Sequence, residues 1–232
     1  MADYAVPPSP PAALPVAGYS TLFPVHHIYA VTRNYGDGPM PALGPGAGIE
    51  RPRPAIFTKA PDSVLPSGAG APYPPATKQL EPEVEMVVAL GGGGRDLTVA
   101  AAEDAIFGYA VGFDMTRRDL QGAARQEGKP WDIAKWFDGA APISDINPVS
   151  ATGHPAQGAI TLDVNGSRVQ AGDLNQMIWK TAEVISIISQ FFTLHPGDLI
   201  FTGTAAGETI VNPGDRLEGI IEGVGTLHFA IE

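Results

Sequence analysis

Glu83 and Glu85 are the residues whose type and spacing most suggest chemistry. They open the run Glu83-Val84-Glu85-Met86-Val87-Val88-Ala89-Leu90, which stops at the glycines Gly91 to Gly94. The Val and Met content and the glycine stop predict a strand. Side chains two apart on a strand point to the same side. Both carboxylates therefore share one face of a segment apolar enough to be buried. Side by side in a low-dielectric setting they repel each other and lose hydration. A shared proton or a hard divalent cation would neutralise them. Asp114 closes a second apolar stretch that begins at Phe107 and supplies a third oxygen donor. Three such ligands suit Mg²⁺, Mn²⁺ or Ca²⁺ better than zinc, and leave positions open for water or a chelating substrate. The alternative is a pair of solvated glutamates on an edge strand.

Cations stand where an anionic substrate would need them. Arg33, Lys59, Arg118 and Lys135 each lie in or beside an otherwise apolar stretch. Arg118 suits a carboxylate through bidentate hydrogen bonds. Lys135, set among Trp131, Trp136 and Phe137, must find a partner; an ion pair with Asp119 or Asp138 is the alternative to a site role. The turn at Gly203-Thr204 offers backbone N–H groups and a hydroxyl, as an anion-binding concavity does. The five histidines, His26, His27, His154, His195 and His228, show no metal-like spacing apart from the adjacent pair. Adjacent strand residues face opposite ways, so each histidine reads as structural. No serine sits in a nucleophile-elbow pattern.

The elements that must position these groups are mostly strands. With 28 glycines and 23 prolines, the chain predicts many turns and irregular connections rather than a helical bundle. Residues 1–20, with five prolines from Pro7 to Pro15, read as an extended arm. Strands are expected at Phe23–Val31, Ala55–Lys59, Phe107–Asp114 and Leu199–Thr204, with a hairpin turning at Asn165-Gly166. A short helix is expected at Thr98–Ile106, with Asp96 ahead of it as a cap. One long helix is expected from Leu174 to Phe192, on a 3.6-residue apolar period with Asp173 as its N-cap. Residues 36–54, dense in Gly and Pro, read as a mobile loop and a candidate lid. The rest, residues 21–232, reads as a single strand-rich domain of the α+β class.

Composition excludes several functions. A net charge of −11 with no basic patch argues against nucleic-acid binding. The absence of cysteine removes disulfides, thiolate metal sites and cysteine nucleophiles. No 18-residue apolar run suggests a membrane span, and no basic-then-apolar start suggests a signal peptide, so a cytoplasmic location is expected.

The chain resembles the fumarylacetoacetate hydrolase family, and within it the bacterial acylpyruvate hydrolases. The stretches that carry the resemblance run in order. They are Phe23-Pro24-Val25, Arg33-Asn34-Tyr35, Tyr73-Pro74-Pro75-Ala76-Thr77-Lys78, Glu83-Val84-Glu85 and Gly108–Gly112 into Asp114. Thr116–Gln121, Lys129–Asp132, Lys135, Phe137-Asp138, Ala141–Ser144 and Gly197–Thr204 follow. The resemblance implies a mixed β-roll, a homodimer, and Mg²⁺ or Mn²⁺ held by Glu83, Glu85 and Asp114. It implies substrate contacts from Arg118, Gln121, Lys135 and Thr204. Lys135, Arg118 and Gln121 are the catalytic candidates, and Arg33, Tyr35, Lys59, Thr204 and Gly203 the substrate-binding ones. The implied substrates are 2,4-dioxo acids, whose 2-oxo-carboxylate end chelates the metal while a C–C bond is cut.

One departure is visible. Hydrolytic members of the family carry a His and a Glu, which activate water, just after the Arg-Asn-Tyr match. Here that segment is Gly36-Asp37-Gly38-Pro39-Met40-Pro41, and no histidine occurs from residue 28 to 153. Asp37 or Glu50 would have to replace the base, with Asp37 the catalytic candidate, or a histidine such as His26 or His27 would have to come from elsewhere. The remaining options are chemistry without activated water (isomerisation, tautomerisation or decarboxylation of a 2-oxo acid) and a catalytically silent metal- and ligand-binding member.

Overall fold

The computed structural model describes residues 4–7, 9–38, 51, 53–207 and 209–232. Most of the Gly/Pro loop, Glu50 included, lies outside the described residues.

The strand that opens on the glutamates organises the molecule. Val84–Leu90 is buried along its whole length and lies inside an eight-stranded mixed sheet. Neighbours run in the order Ala55–Lys59, Ile28–Thr32, Leu199–Thr204, Val84–Leu90, Ile106–Phe113, Ala141–Ile143 and Val64–Pro66, with Asn147–Pro148 also pairing to Ile106–Phe113. The two-residue period decides what each face meets. Val84, Met86, Val88 and Leu90 join one hydrophobic cluster with Val111, Phe113, Leu162 and Leu217. Val87 and Ala89 join another with Leu14, Ile146 and Phe201 on the opposite face. Glu85 belongs by period to the second face. A five-stranded sheet, Ser167–Asp173, Ala159–Val164, Arg216–Ile221, Gly225–Ile231 and Gly70–Ala71, packs over the first cluster. The Asn165-Gly166 hairpin is present as expected, with Asn165 at φ 52° and Gly166 at φ 77°.

Four expectations change. The proline-rich arm is not free of the body: Ala13–Pro15 pairs with Leu22–Pro24, and Leu14 and Val16 are buried in the second cluster. The strand expected at Phe23–Val31 is interrupted, because Leu22–Pro24 and Ile28–Thr32 belong to different sheets and Val25 to His27 join them in irregular backbone. The long helix is two pieces, a 3₁₀ turn at Leu174–Gln176 and an α-helix at Thr181–Ser189. Asp173 caps the first piece as expected. The break comes from distant chain, since the amide of Ile178 donates to Asn34 O and the amide of Trp179 to Asn34 Oδ1. Backbone N–H groups taken by Asn34 are unavailable to a continuous helix.

The short helix ahead of the second strand runs Val99–Asp104 and is capped by Thr98, whose hydroxyl accepts from the Ala101 amide, rather than by Asp96. No helix among the described residues is long and apolar enough to cross a membrane.

Candidate active site

Glu83 precedes the central strand, and its carbonyl accepts the Asp114 amide at 2.9 Å, which brings the two acids together. Ligand oxygens of Glu83, Glu85 and Asp114 all lie within 4.8 Å of one another. Glu85 and Asp114 are buried, and the Glu83 side chain is 19% exposed.

A register slip fixes Glu85. Phe201 pairs with Val87, but Thr204 pairs with Glu85, so one extra residue is accommodated between them. Such a bulge re-aims nearby groups. Thr202 Oγ1 donates to Met86 O, Gly203 N donates to Glu85 Oε2 at 2.7 Å, and Thr204 Oγ1 donates to Val84 O. Gly203 sits at φ 94°, and a Cβ there would lie 2.9 Å from Asn34 Cβ, so the position requires glycine.

Cations close the other sides. Lys135 ends a short helix at Asp132–Lys135, and its Nζ donates to Asp114 Oδ2 at 2.5 Å, Thr116 Oγ1 at 2.6 Å and Glu83 Oε2 at 2.7 Å. Its partners are thus the metal-ligand candidates and not Asp119 or Asp138. Arg118 begins the helix Arg118–Glu127 and spends its fork inside the protein. It donates from Nε to Glu81, from Nη2 to Glu83 and from Nη1 to Gln121 Oε1. Gln121 is buried and holds Arg118 in orientation. Lys59 is drawn behind the carboxylates. Its Nζ donates to the carbonyls of Met115, Lys135 and Ala140 and lies 2.8 Å from Asp114 Oδ1. It is therefore a partner of Asp114 and does not line the cavity.

The electrostatics separate the three acids. Burial opposes ionisation of Glu83, but Lys135 and Arg118 outweigh it and hold this carboxyl below the usual range. Burial pushes Glu85 well above that range, and Asp114 and Glu83 push it further. Burial lowers Lys59, partly offset by Asp114. For Lys135 the balance tips the other way, and Asp114 and Glu83 raise it despite burial.

These residues fit a divalent cation. The donor set is all oxygen, as hard cations prefer. Asp114 Oδ1 faces Lys59 Nζ at 2.8 Å, whereas Glu85, set beside Glu83 and Asp114, is met by the neutral Gly203 amide. Acids held this close repel one another, and a bound cation relieves that repulsion.

Beside the carboxylates lies a cavity of about 250 Å³, lined by Tyr35, Asp37, Glu83, Arg118, Gln170 and Thr204 among others. Tyr35 Oη is buried with no hydrogen-bond partner among the described residues, and burial, then Glu85 and Asp173, raise its pKa. Asp37 is exposed at the rim. Arg33 is exposed at φ 60° and does not line this cavity. None of the five histidines lines it either.

Glu81 and Gln170 were not singled out in the sequence. Glu81 is two residues before Glu83, so the same alternation that flags Glu83 and Glu85 extends to it across Pro82. Gln170 accepts from the Val84 amide and donates to Ala205 O. No local signal marks it, because its partners lie on other elements.

A family model, the fumarylacetoacetate (FAA) hydrolase C-terminal family, matches residues 27–232. The chain belongs to this family, and the mixed strand-rich roll is the family's fold. A fumarylpyruvate hydrolase of Ralstonia sp is 41% identical over 175 residues, 75% of this chain and 91% of the relative. The crystal structure of fumarylpyruvate hydrolase from Pseudomonas aeruginosa in complex with Mn²⁺ and pyruvate is 42% identical. It superposes with a TM-score of 0.90, covering 99% of this chain and 100% of that one. A mitochondrial oxaloacetate tautomerase of Bos taurus is 34% identical over 208 residues, 89% of this chain and 91% of the relative.

Proposed function

We propose that the chain is a divalent-cation-dependent hydrolase that cleaves the C–C bond of an acylpyruvate, a 2,4-dioxo acid such as fumarylpyruvate. The observation that carries this reading is the Glu83, Glu85 and Asp114 cluster, whose Glu83 lines a cavity shared with Arg118, Tyr35 and Thr204. The relative solved with Mn²⁺ and pyruvate supports both the kind of cofactor and the pyruvoyl end of the substrate. Mn²⁺ or Mg²⁺ bound at Glu83, Glu85 and Asp114 supplies Lewis-acid polarisation of a 2-oxo-carboxylate.

The chain's own groups do the rest. Tyr35 Oη, with no hydrogen-bond partner among the described residues, can donate to a substrate oxygen. Arg118, clamped by Glu81, Glu83 and Gln121, places fixed positive charge beside the anionic substrate. Hydrolysis puts the hydroxyl of water on the acyl carbonyl carbon. The electron pair of the broken C–C bond passes to the pyruvoyl C3, which then takes a proton. Asp37 lines the cavity, which supports it as the base that takes the proton from that water.

A second reading rests on the histidines. Enol–keto conversion of a 2-oxo acid moves one proton and needs no attacking water, and a tautomerase stands among the relatives. All five histidines lie away from the cavity, which favours chemistry without an imidazole base.

Separate incubations with Mn²⁺ and fumarylpyruvate, and with Mn²⁺ and enol-oxaloacetate, following absorbance and quantifying products, test both. Equimolar fumarate and pyruvate supports hydrolysis. Conversion of enol to keto oxaloacetate without C–C cleavage of fumarylpyruvate supports the tautomerase. Neither, in protein that still binds Mn²⁺, overturns both and leaves a silent binding member.

A further inference from the structure

A second cluster of metal-ligating groups lies away from the active-site carboxylates. Asp198 is wholly buried and surrounded by imidazoles. Its Oδ2 accepts the His195 amide at 2.8 Å, which fixes the carboxylate and presents Oδ1 outward. His26 Nδ1 lies 2.8 Å from Oδ1, and His27 Nδ1 lies 3.5 Å from the same oxygen. Ligand atoms of His26, His195 and Asp198 all fall within 4.8 Å of one another. The His26 ring is centred 3.9 Å from that of His27 and 5.1 Å from that of His195.

This convergence is not what adjacent strand residues do. It arises because His26 and His27 occupy the irregular link before the Ile28–Thr32 strand. The His26 amide donates to Gly197 O, so the link is tied to the turn that carries His195 and Asp198. Gly197 makes the approach possible: at φ 94°, a Cβ there would sit 2.8 Å from Pro24 O and 3.2 Å from His26 Cβ.

We propose that His26, His195 and Asp198 form a second cation site, with His27 beside Asp198, for a borderline transition metal such as Zn²⁺. Two imidazoles and one carboxylate are a nitrogen-rich set, which suits Zn²⁺, Co²⁺ or Ni²⁺ and not Mg²⁺. The spacing also suits it, since bonds of 2.0–2.1 Å in a tetrahedron place ligand atoms about 3.3 Å apart. His26 Nδ1 and Asp198 Oδ1, hydrogen-bonded at 2.8 Å, would open by about 0.5 Å to reach that spacing. The imidazoles are reachable from solvent, with side chains of His26 and His27 45% and 53% exposed. A metal here ties the start of Ile28–Thr32 to the start of Leu199–Thr204, two parallel neighbours. Asp198 and Gly203 are five residues apart along an extended strand, about 16 Å, so this metal stabilises the sheet without touching substrate.

The test is Zn²⁺ titration by calorimetry in saturating Mg²⁺, which occupies the oxygen site, together with thermal melts. The expected result is Mg²⁺-resistant uptake of one Zn²⁺ per chain and a higher Tm with Zn²⁺. His26→Ala and His195→Ala, both at exposed side chains, should weaken uptake at least about tenfold, as even the loss of an outer-shell partner does. His228→Ala, whose imidazole pairs with Glu218 elsewhere, should leave uptake unchanged. No Mg²⁺-resistant uptake overturns the proposal, as does uptake that His26→Ala and His195→Ala leave intact in folded protein.

Discussion

Lys135 Nζ stands 2.5 Å from Asp114 Oδ2, with both side chains almost wholly buried. Lysine here does part of the work of a cation among the carboxylates, which makes the site foldable without metal. Removing one partner of a buried ion pair typically costs about 3–5 kcal/mol, because the other charge is stranded. Lys135→Met should therefore destabilise the metal-free protein by about that amount, and Mn²⁺ should recover part of the loss. Denaturant melts in chelator and in Mn²⁺ give both numbers.

Glu85→Gln preserves shape and can still accept from the Gly203 amide, but offers no charge to a cation. Mn²⁺ affinity measured by calorimetry should fall at least about tenfold, and turnover should fall with it. The fold should persist, because a neutral side chain relieves the repulsion from Asp114 and Glu83 that raises the Glu85 pKa. Unchanged Mn²⁺ binding would show that the metal lies elsewhere.

Gly203→Ala tests the bulge. A left-handed alanine costs about 1–2 kcal/mol, and the contact with Asn34 Cβ adds to it. The expected signature is lower stability together with weaker Mn²⁺ binding, since the amide that orients Glu85 must shift.

Asp37→Asn tests the base. Loss of a general base typically costs about 10²–10⁴-fold in rate, so hydrolysis should drop by that order with KM little changed. If the enzyme works as a tautomerase, enol–keto conversion should survive the same substitution.

Asp119 gives a pH prediction. Burial raises its pKa, and hydrogen bonds from the Thr77 hydroxyl and the amides of Lys78 and Leu120 together more than offset this, so the carboxyl is held below its ordinary value. A depressed folded-state pKa contributes stability that is present above the ordinary carboxylate pKa. That contribution is lost as pH falls through the lowered value. Wild type should therefore exceed Asp119→Ala in Tm at neutral pH, and the gap should close as the solution is acidified below the carboxylate range.

How much of this was legible depends on how far each cause lies along the chain. The Glu83 and Glu85 pair was readable because strand alternation is local, and the same alternation would have reached Glu81 had Pro82 not obscured it. The turn at Gly203-Thr204 was readable as a site for hydrogen-bond donors, although its partner proved to be Glu85 within the chain. The helix over 174–192 was misread because its period is real while the break is imposed by Asn34, 145 residues away from Trp179. The placement of His26 and His27 on a strand was misread for a related reason. Opposite-facing neighbours are a property of strands, and the pairing that ends the strand before His26 is invisible in the local sequence.

The charges around the acids carry a last consequence. Four carboxylates, Glu81, Glu83, Glu85 and Asp114, stand against three cations, Lys59, Arg118 and Lys135. Fully ionised, the cluster is one positive charge short of balance. A divalent ion turns that deficit into an equal excess, and a single carboxylate from a ligand cancels it. Metal and acid thus complete each other, and each should tighten the other's binding by the same factor, as linkage requires. A neutral ketone of the same shape would leave the excess standing, so the site discriminates by charge count before it discriminates by shape.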